Sequence, residues 1–175
     1  MRSARNLVLA AALAAAGAAA PIEIAGDARF TRQVQAALAL LRRRAPASYG
    51  TVARYIGRIE QGPRSGMWAY KNPPTYALAD ATALRSITWC AASIVHDACH
   101  SRLYHEHKRA HGRVPAAVWT GLAAEKTCLA DQLAAMQTFG APALEIDWVR
   151  RQDGRHFDAN GNGKSDWSDY RSRSH

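Results

Sequence analysis

Two histidines, His96 and His100, stand four residues apart in Ser86-Ile-Thr-Trp-Cys-Ala-Ala-Ser-Ile-Val-His-Asp-Ala-Cys-His100. On a helix, residues at this spacing share one face about a turn apart, so two imidazoles can converge on one metal ion. Trp89, Ala92 and Leu103 fall seven before, four before and seven after His96, which puts the pair on an apolar stripe. Imidazoles buried there need partners, and a bare pair of this kind reads more simply as two core histidines bonded to backbone or carboxylate. Glu125 has the same kind of placement, with Leu122 three before it and Leu129 and Leu133 four and eight after. A carboxylate on an apolar helix face is costly unless it is paired or bound to a metal. Two inward imidazoles and one inward carboxylate make the His₂Glu set of a catalytic zinc site, which leaves a fourth position open.

Two long helical segments, about Thr82–His107 and Pro115–Phe139, are needed to carry these side chains, the second closed by Gly140 and Pro142. Upstream, Phe30, Val34, Ala37, Leu38 and Leu41 recur at helical spacing. That run ends in Arg42, Arg43 and Arg44, cations suited to a helix C-terminus, and is stopped by Pro46. Ser48–Ile56 reads as a short helix running into a strand near residues 56–60. Gly62, Pro63 and Gly66 mark a turn, and Met67–Tyr70 and Thr75–Leu78 read as short strands separated by Asn72, Pro73 and Pro74. The expected class is α+β: an N-terminal helix, short mostly antiparallel strands, then a metal-site helix and a glutamate helix.

Over residues 87–131 the pattern resembles the gluzincin metallopeptidases, in which H-E-x-x-H is followed some 20 or more residues later by a ligating Glu on the next helix. The resemblance implies a zincin-like fold with His96, His100 and Glu125 as zinc ligands and Asp97 as general base. Asp97 departs from the family pattern: it replaces Glu and is one methylene shorter, while a base must come within about 2.6–3.2 Å of the water it deprotonates. His105, His107 and His111 crowd the following segment, and His111-Gly112 resembles the downstream His-Gly of SprT-like zinc proteases. The third ligand is therefore Glu125, with His105 and His111 as alternatives. Cys99 lies three after His96 and Cys128 three after Glu125, so helices that share a metal bring these thiols together; Cys99–Cys128 is the expected bridge and Cys90 the free buried thiol.

The 175 residues, 48% hydrophobic and 21% charged, fit one globular domain and disfavour a disordered, collagen-like or multi-span membrane chain. Met1–Asn6 is short and basic, Leu7–Ala16 is apolar, and Gly17–Pro21 is small-residue and breaking: the layout of a secretory signal peptide over residues 1–20. Export implies a secreted or periplasmic protein in an oxidising compartment, with no transmembrane segment after signal removal. Loss of Arg2 and Arg5 with that segment lowers the net charge from +9 to +7. A basic balance suits an anionic envelope surface, and Trp68, Tyr70 and Tyr76 could stack nucleic-acid bases, although core packing is the simpler role for them.

A zincin-like domain over residues 21–148 is followed by a polar tail, residues 149–175. Asp158, Asn160, Asn162, Asp166 and Asp169 occupy positions 1, 3, 5, 9 and 12 of an EF-hand-like loop with Gly163 at position 6. The spacing suits weak Ca²⁺ binding, since Asp169 replaces the bidentate Glu. The leading functional expectation is a secreted Zn²⁺-dependent peptidase acting on a peptide or protein. The alternative is a secreted metal-binding module that keeps the scaffold without turnover.

Overall fold

Asp27 starts the first helix by accepting hydrogen bonds from the Arg29 and Phe30 backbone N–H groups, both at 2.8 Å. A computed structural model describes residues 21–155, so the leader reading of residues 1–20 and the calcium-loop reading of Asp158–Asp169 lie outside the described residues. Helix α1 (Ala28–Arg44) buries Phe30, Val34, Ala37 and Leu41 completely and ends on its three arginines, as its period predicts. Helix α2 (Pro46–Tyr55) begins at the proline that stops α1, where a missing N–H costs nothing.

Among the described residues four short strands form one sheet: β1 (Glu23–Ala25), β2 (Arg58–Gly62), β3 (Gly66–Trp68) and β4 (Thr75–Ala79), in the spatial order β1-β2-β4-β3. The expectation of mostly antiparallel strands is overturned. β1 pairs with β2 in parallel, β2 with β4 in parallel, and only β3 with β4 runs antiparallel. Two causes are visible. β1, at three residues, is too short to show a period, and its link to β2 is the α1–α2 crossover that parallel neighbours require. The turn after β2 does not fold β3 back onto it; β4 lies between them instead. Gly57 allows the approach this needs, because a Cβ there would lie 2.5 Å from Pro73 Cβ, and Gly57 and Arg58 N–H both donate to the Pro74 carbonyl.

The two long helical segments are each divided. Asp80–Ala83 is a separate short helix, α3, and α4 runs from Ile87 to His111 after Ser86 caps it through the Trp89 N–H. Ala116–Trp119 forms α5, and α6 (Leu122–Phe139) starts after Gly121, whose φ of 82° belongs to the left-handed region that favours glycine. An unexpected helix α7 (Ala143–Arg150) closes the described chain. Its Glu145 accepts hydrogen bonds from Ser86 and Thr88 at the start of α4, at 2.6 and 2.7 Å.

Helix α4 is the centre of the domain. Its first four turns are buried nearly all round, with α1 and α2 on one side and α6 on another. The fold is thus α+β, mostly helical, with one small mixed sheet. Among the described residues no helix is long and apolar enough to cross a membrane.

The wholly buried face of α1 generates a stability prediction. Phe30→Ala removes a ring with no exposed surface and should cost about 3–5 kcal/mol. Urea unfolding followed by circular dichroism checks it; a loss below about 1 kcal/mol would mean that α1 does not carry the core.

Candidate metal centre

α4 presents Trp89, Ser93, His96 and His100 along one side, while α6 presents Glu125, Leu129 and Gln132, and all seven line one cavity of about 280 Å³. His100 is buried, and the side chains of His96 and Glu125 keep only 12% and 11% of their surface in contact with solvent. The three meet at short range. His96 Nε2 lies 3.1 Å from Glu125 Oε2, His100 Nε2 lies 3.6 Å from Glu125 Oε1, and the two Nε2 atoms lie 3.0 Å apart. Tetrahedral ligands at about 2.0–2.2 Å from one ion are spaced on this scale.

The outer nitrogens decide what the inner ones can do. His100 Nδ1 lies 2.7 Å from the Trp119 carbonyl oxygen, which can only accept, so His100 donates there. His96 Nδ1 likewise donates to Gln132 Oε1 at 3.1 Å. With each neutral ring's one proton on Nδ1, both Nε2 atoms direct lone pairs at each other and at a carboxylate. Such a set repels itself unless a proton or a cation sits among the three. Backbone or amide acceptors behind the outer nitrogen are also the usual second support of metal-binding histidines, fixing tautomer and ring orientation. Burial works against a charged His100, but the hydrogen bond and charge of Glu125 outweigh it, with help from Asp97 and the Trp119 carbonyl, so His100 titrates above the ordinary histidine value.

Asp97 is buried at the rear of the same cavity. Burial pushes its carboxyl above the usual range. His96 and His100 pull it down, the Glu125 charge raises it further, and a hydrogen bond from Tyr76 lowers it, leaving a net rise. The Tyr76 hydroxyl also pairs with Ser93, and burial drives its own titration well upward.

The structure brings together His96, His100 and Glu125, with Asp97 beside them, and these first three are the one group of three or more such side chains among the described residues placed to share an ion. It does not bring His105 or His111 to the cluster. His105 packs between Tyr55 and Tyr104, and His111 pairs with His107. Gln132 and the Trp119 carbonyl are additions. Gln132 sits seven residues after Glu125 on the same face, a polar interruption of an apolar stripe that the sequence does display. A backbone carbonyl has no such signature. Scanned against protein-family models the chain matches none, and searches of curated proteins and of solved structures returned no match.

Cys99 and Cys128 lie at disulfide-bonding distance with Cα atoms 5.3 Å apart, and Cys90 is a buried free thiol whose burial pushes it up to about 12. Peptide mapping of oxidised protein without reduction should recover Cys99 joined to Cys128. In the loop-entropy model, closing that loop is worth about 3–4 kcal/mol, so Cys128→Ala should lower the unfolding midpoint; recovery of Cys90 in a bridge would refute the α4–α6 arrangement.

Proposed function

We propose that the protein is a zinc-dependent peptidase of small α+β architecture, with His96, His100 and Glu125 as metal ligands. The observation that carries this reading is the convergence of two outward-anchored imidazoles and a carboxylate, whose inner atoms lie within 4.8 Å of one another. Borderline nitrogen donors with one oxygen suit zinc better than magnesium or calcium. A zinc ion held by three protein ligands supplies Lewis acidity at its open position and lowers the pKa of a coordinated water to about 7.

The chain's own residues supply the rest. Asp97 follows the first ligand directly and faces the cavity, where its carboxylate can accept a proton and pass it on. β3 is one of the two edge strands of the sheet, and Gly66 and Met67 from it line the cavity, so its outer edge can pair with an extended peptide. Among the described residues no lysine or arginine lines this cavity, although the chain carries +9, while Trp89, Leu129 and Trp148 give it an apolar wall. That composition suits a neutral, apolar stretch within a peptide rather than a terminal carboxylate, which would call for a cation. Export and a zincin-like ancestry belong to the same proposal.

A second reading rests on burial. Asp97 keeps little contact with solvent, which suits a metal-binding module without turnover as well as it suits a base.

Metal analysis of the purified protein should give about one zinc per chain, lost or strongly reduced in His96→Ala, His100→Ala and Glu125→Gln and retained in Asp97→Asn. Asp97→Asn should abolish cleavage of blocked apolar peptides, and Asp97→Glu should keep or raise it. Full zinc with no cleavage of a broad peptide library selects the second reading. Equal zinc in Glu125→Gln and wild type rejects the ligand set.

Protons compete with the metal for His100. Because its pKa in the metal-free fold is raised, zinc affinity is fully present above that value and falls as pH drops through it, sooner than for a free imidazole. Calorimetric titration between pH 8 and about pH 5 checks the direction; affinity that is flat across this window would exclude histidine ligation.

A further inference from the structure

The far end of α4 repeats the spacing of its buried pair. His107 and His111 are four apart, and each follows its counterpart, His96 or His100, by eleven residues. Eleven residues make about three turns, so the second pair falls on nearly the same helical face, roughly 16 Å further along the axis. The side chains converge in both places: ring centroids are 4.3 Å apart with a 43° tilt for His107 and His111, against 4.8 Å and 59° for His96 and His100. Tyr104 lies between the pairs, with Trp119 packed edge-on against it.

The surroundings differ. His111 is exposed and His107 half-buried, and among the described residues neither ring is held in a hydrogen bond or ion pair. Lys108, Arg109 and Arg113 are nearby cations, and Lys108 reaches back over the Tyr104 ring at 5.7 Å. Their charge opposes a bound cation. The C-terminal end of a 25-residue helix, capped at Gly112, favours one through its unsatisfied carbonyls. Two nitrogen donors at one helical turn remain a chelating pair for borderline divalent ions, whose affinity for imidazole does not depend on a carboxylate.

We propose that His107 and His111 form a second transition-metal site, taking Zn²⁺, Ni²⁺ or Cu²⁺ through two imidazole nitrogens with the other coordination positions left to water. With two protein ligands, open solvent and adjacent cations, the site is weaker and more readily exchanged than the buried cluster. It stands independently of the peptidase reading.

Full-length, tag-free protein is first given one equivalent of zinc and then titrated with Ni²⁺ in a calorimeter, beside His107→Gln/His111→Gln and His111→Gln. Wild type should bind one more nickel than the double variant, and the single variant should bind it about tenfold or more weakly. Neither residue is buried, so an unchanged thermal midpoint shows that the variants are folded. His96→Ala, titrated with no zinc added, should keep the nickel heat. Identical nickel isotherms for wild type and the double variant would overturn the site, as would selective line broadening by Cu²⁺ that spares the His107 and His111 ring protons.

Discussion

Three electron-pair donors that the protein forces together in a largely buried place set the terms for the rest of this structure. Each imidazole is turned by an acceptor at its back, and Glu125 brings a charge into a position with little water to hydrate it. Charges so placed cost several kcal/mol unless something of opposite sign shares the space. The cost is accepted at the junction of α4 and α6, the most closely associated pair of helices, and the remaining elements keep that junction rigid.

Rigidity comes from the start and the middle of α4. At its start, Ser86 and Thr88 donate to Glu145 of α7, so the last described helix is fastened to the first turn of the central one. Midway, Ser101 donates to the Tyr55 carbonyl at 2.6 Å and ties α4 to the end of α2. One turn from the cluster, Arg102 pairs with Asp131 at 3.0 Å on the exposed side of the α4–α6 contact. The surface pair adds little by itself, but it lies beside the Cys99 and Cys128 sulfurs and reinforces a helix spacing fixed there.

What could be read beforehand follows physical lines. The face of α1 was legible because Phe30, Val34, Ala37 and Leu41 obey one period and nothing interrupts it. His96, His100 and Glu125 were legible because polar groups on apolar stripes are exceptional. Sheet order was not: the strands are three to five residues long, and whether β2 meets β3 or β4 depends on contacts far apart in sequence. The breaks at Ser86 and Gly121 carried local signals, a capping hydroxyl and a glycine, which the long apolar periods on either side outweighed. Trp119 was legible as an aromatic, whereas its carbonyl, the group that orients His100, has no residue type.

That carbonyl sits in a particular stretch of chain. Residues 112–121 begin and end at glycines in the left-handed region, Gly112 with φ 74° and Gly121 with φ 82°, and between them is only the single turn of α5. The segment is held down chiefly by the Trp119 ring against Tyr104 and Tyr70 and by the hydrogen bond from His100. A buried imidazole of the candidate site therefore takes its orientation from one of the parts least secured by regular structure. By thermodynamic linkage the influence would run equally in both directions: were His100 to hold an ion, whatever steadied this segment would strengthen that hold, and the ion would steady the segment by the same free energy. Local order at the surface and affinity in the interior are two readings of one quantity.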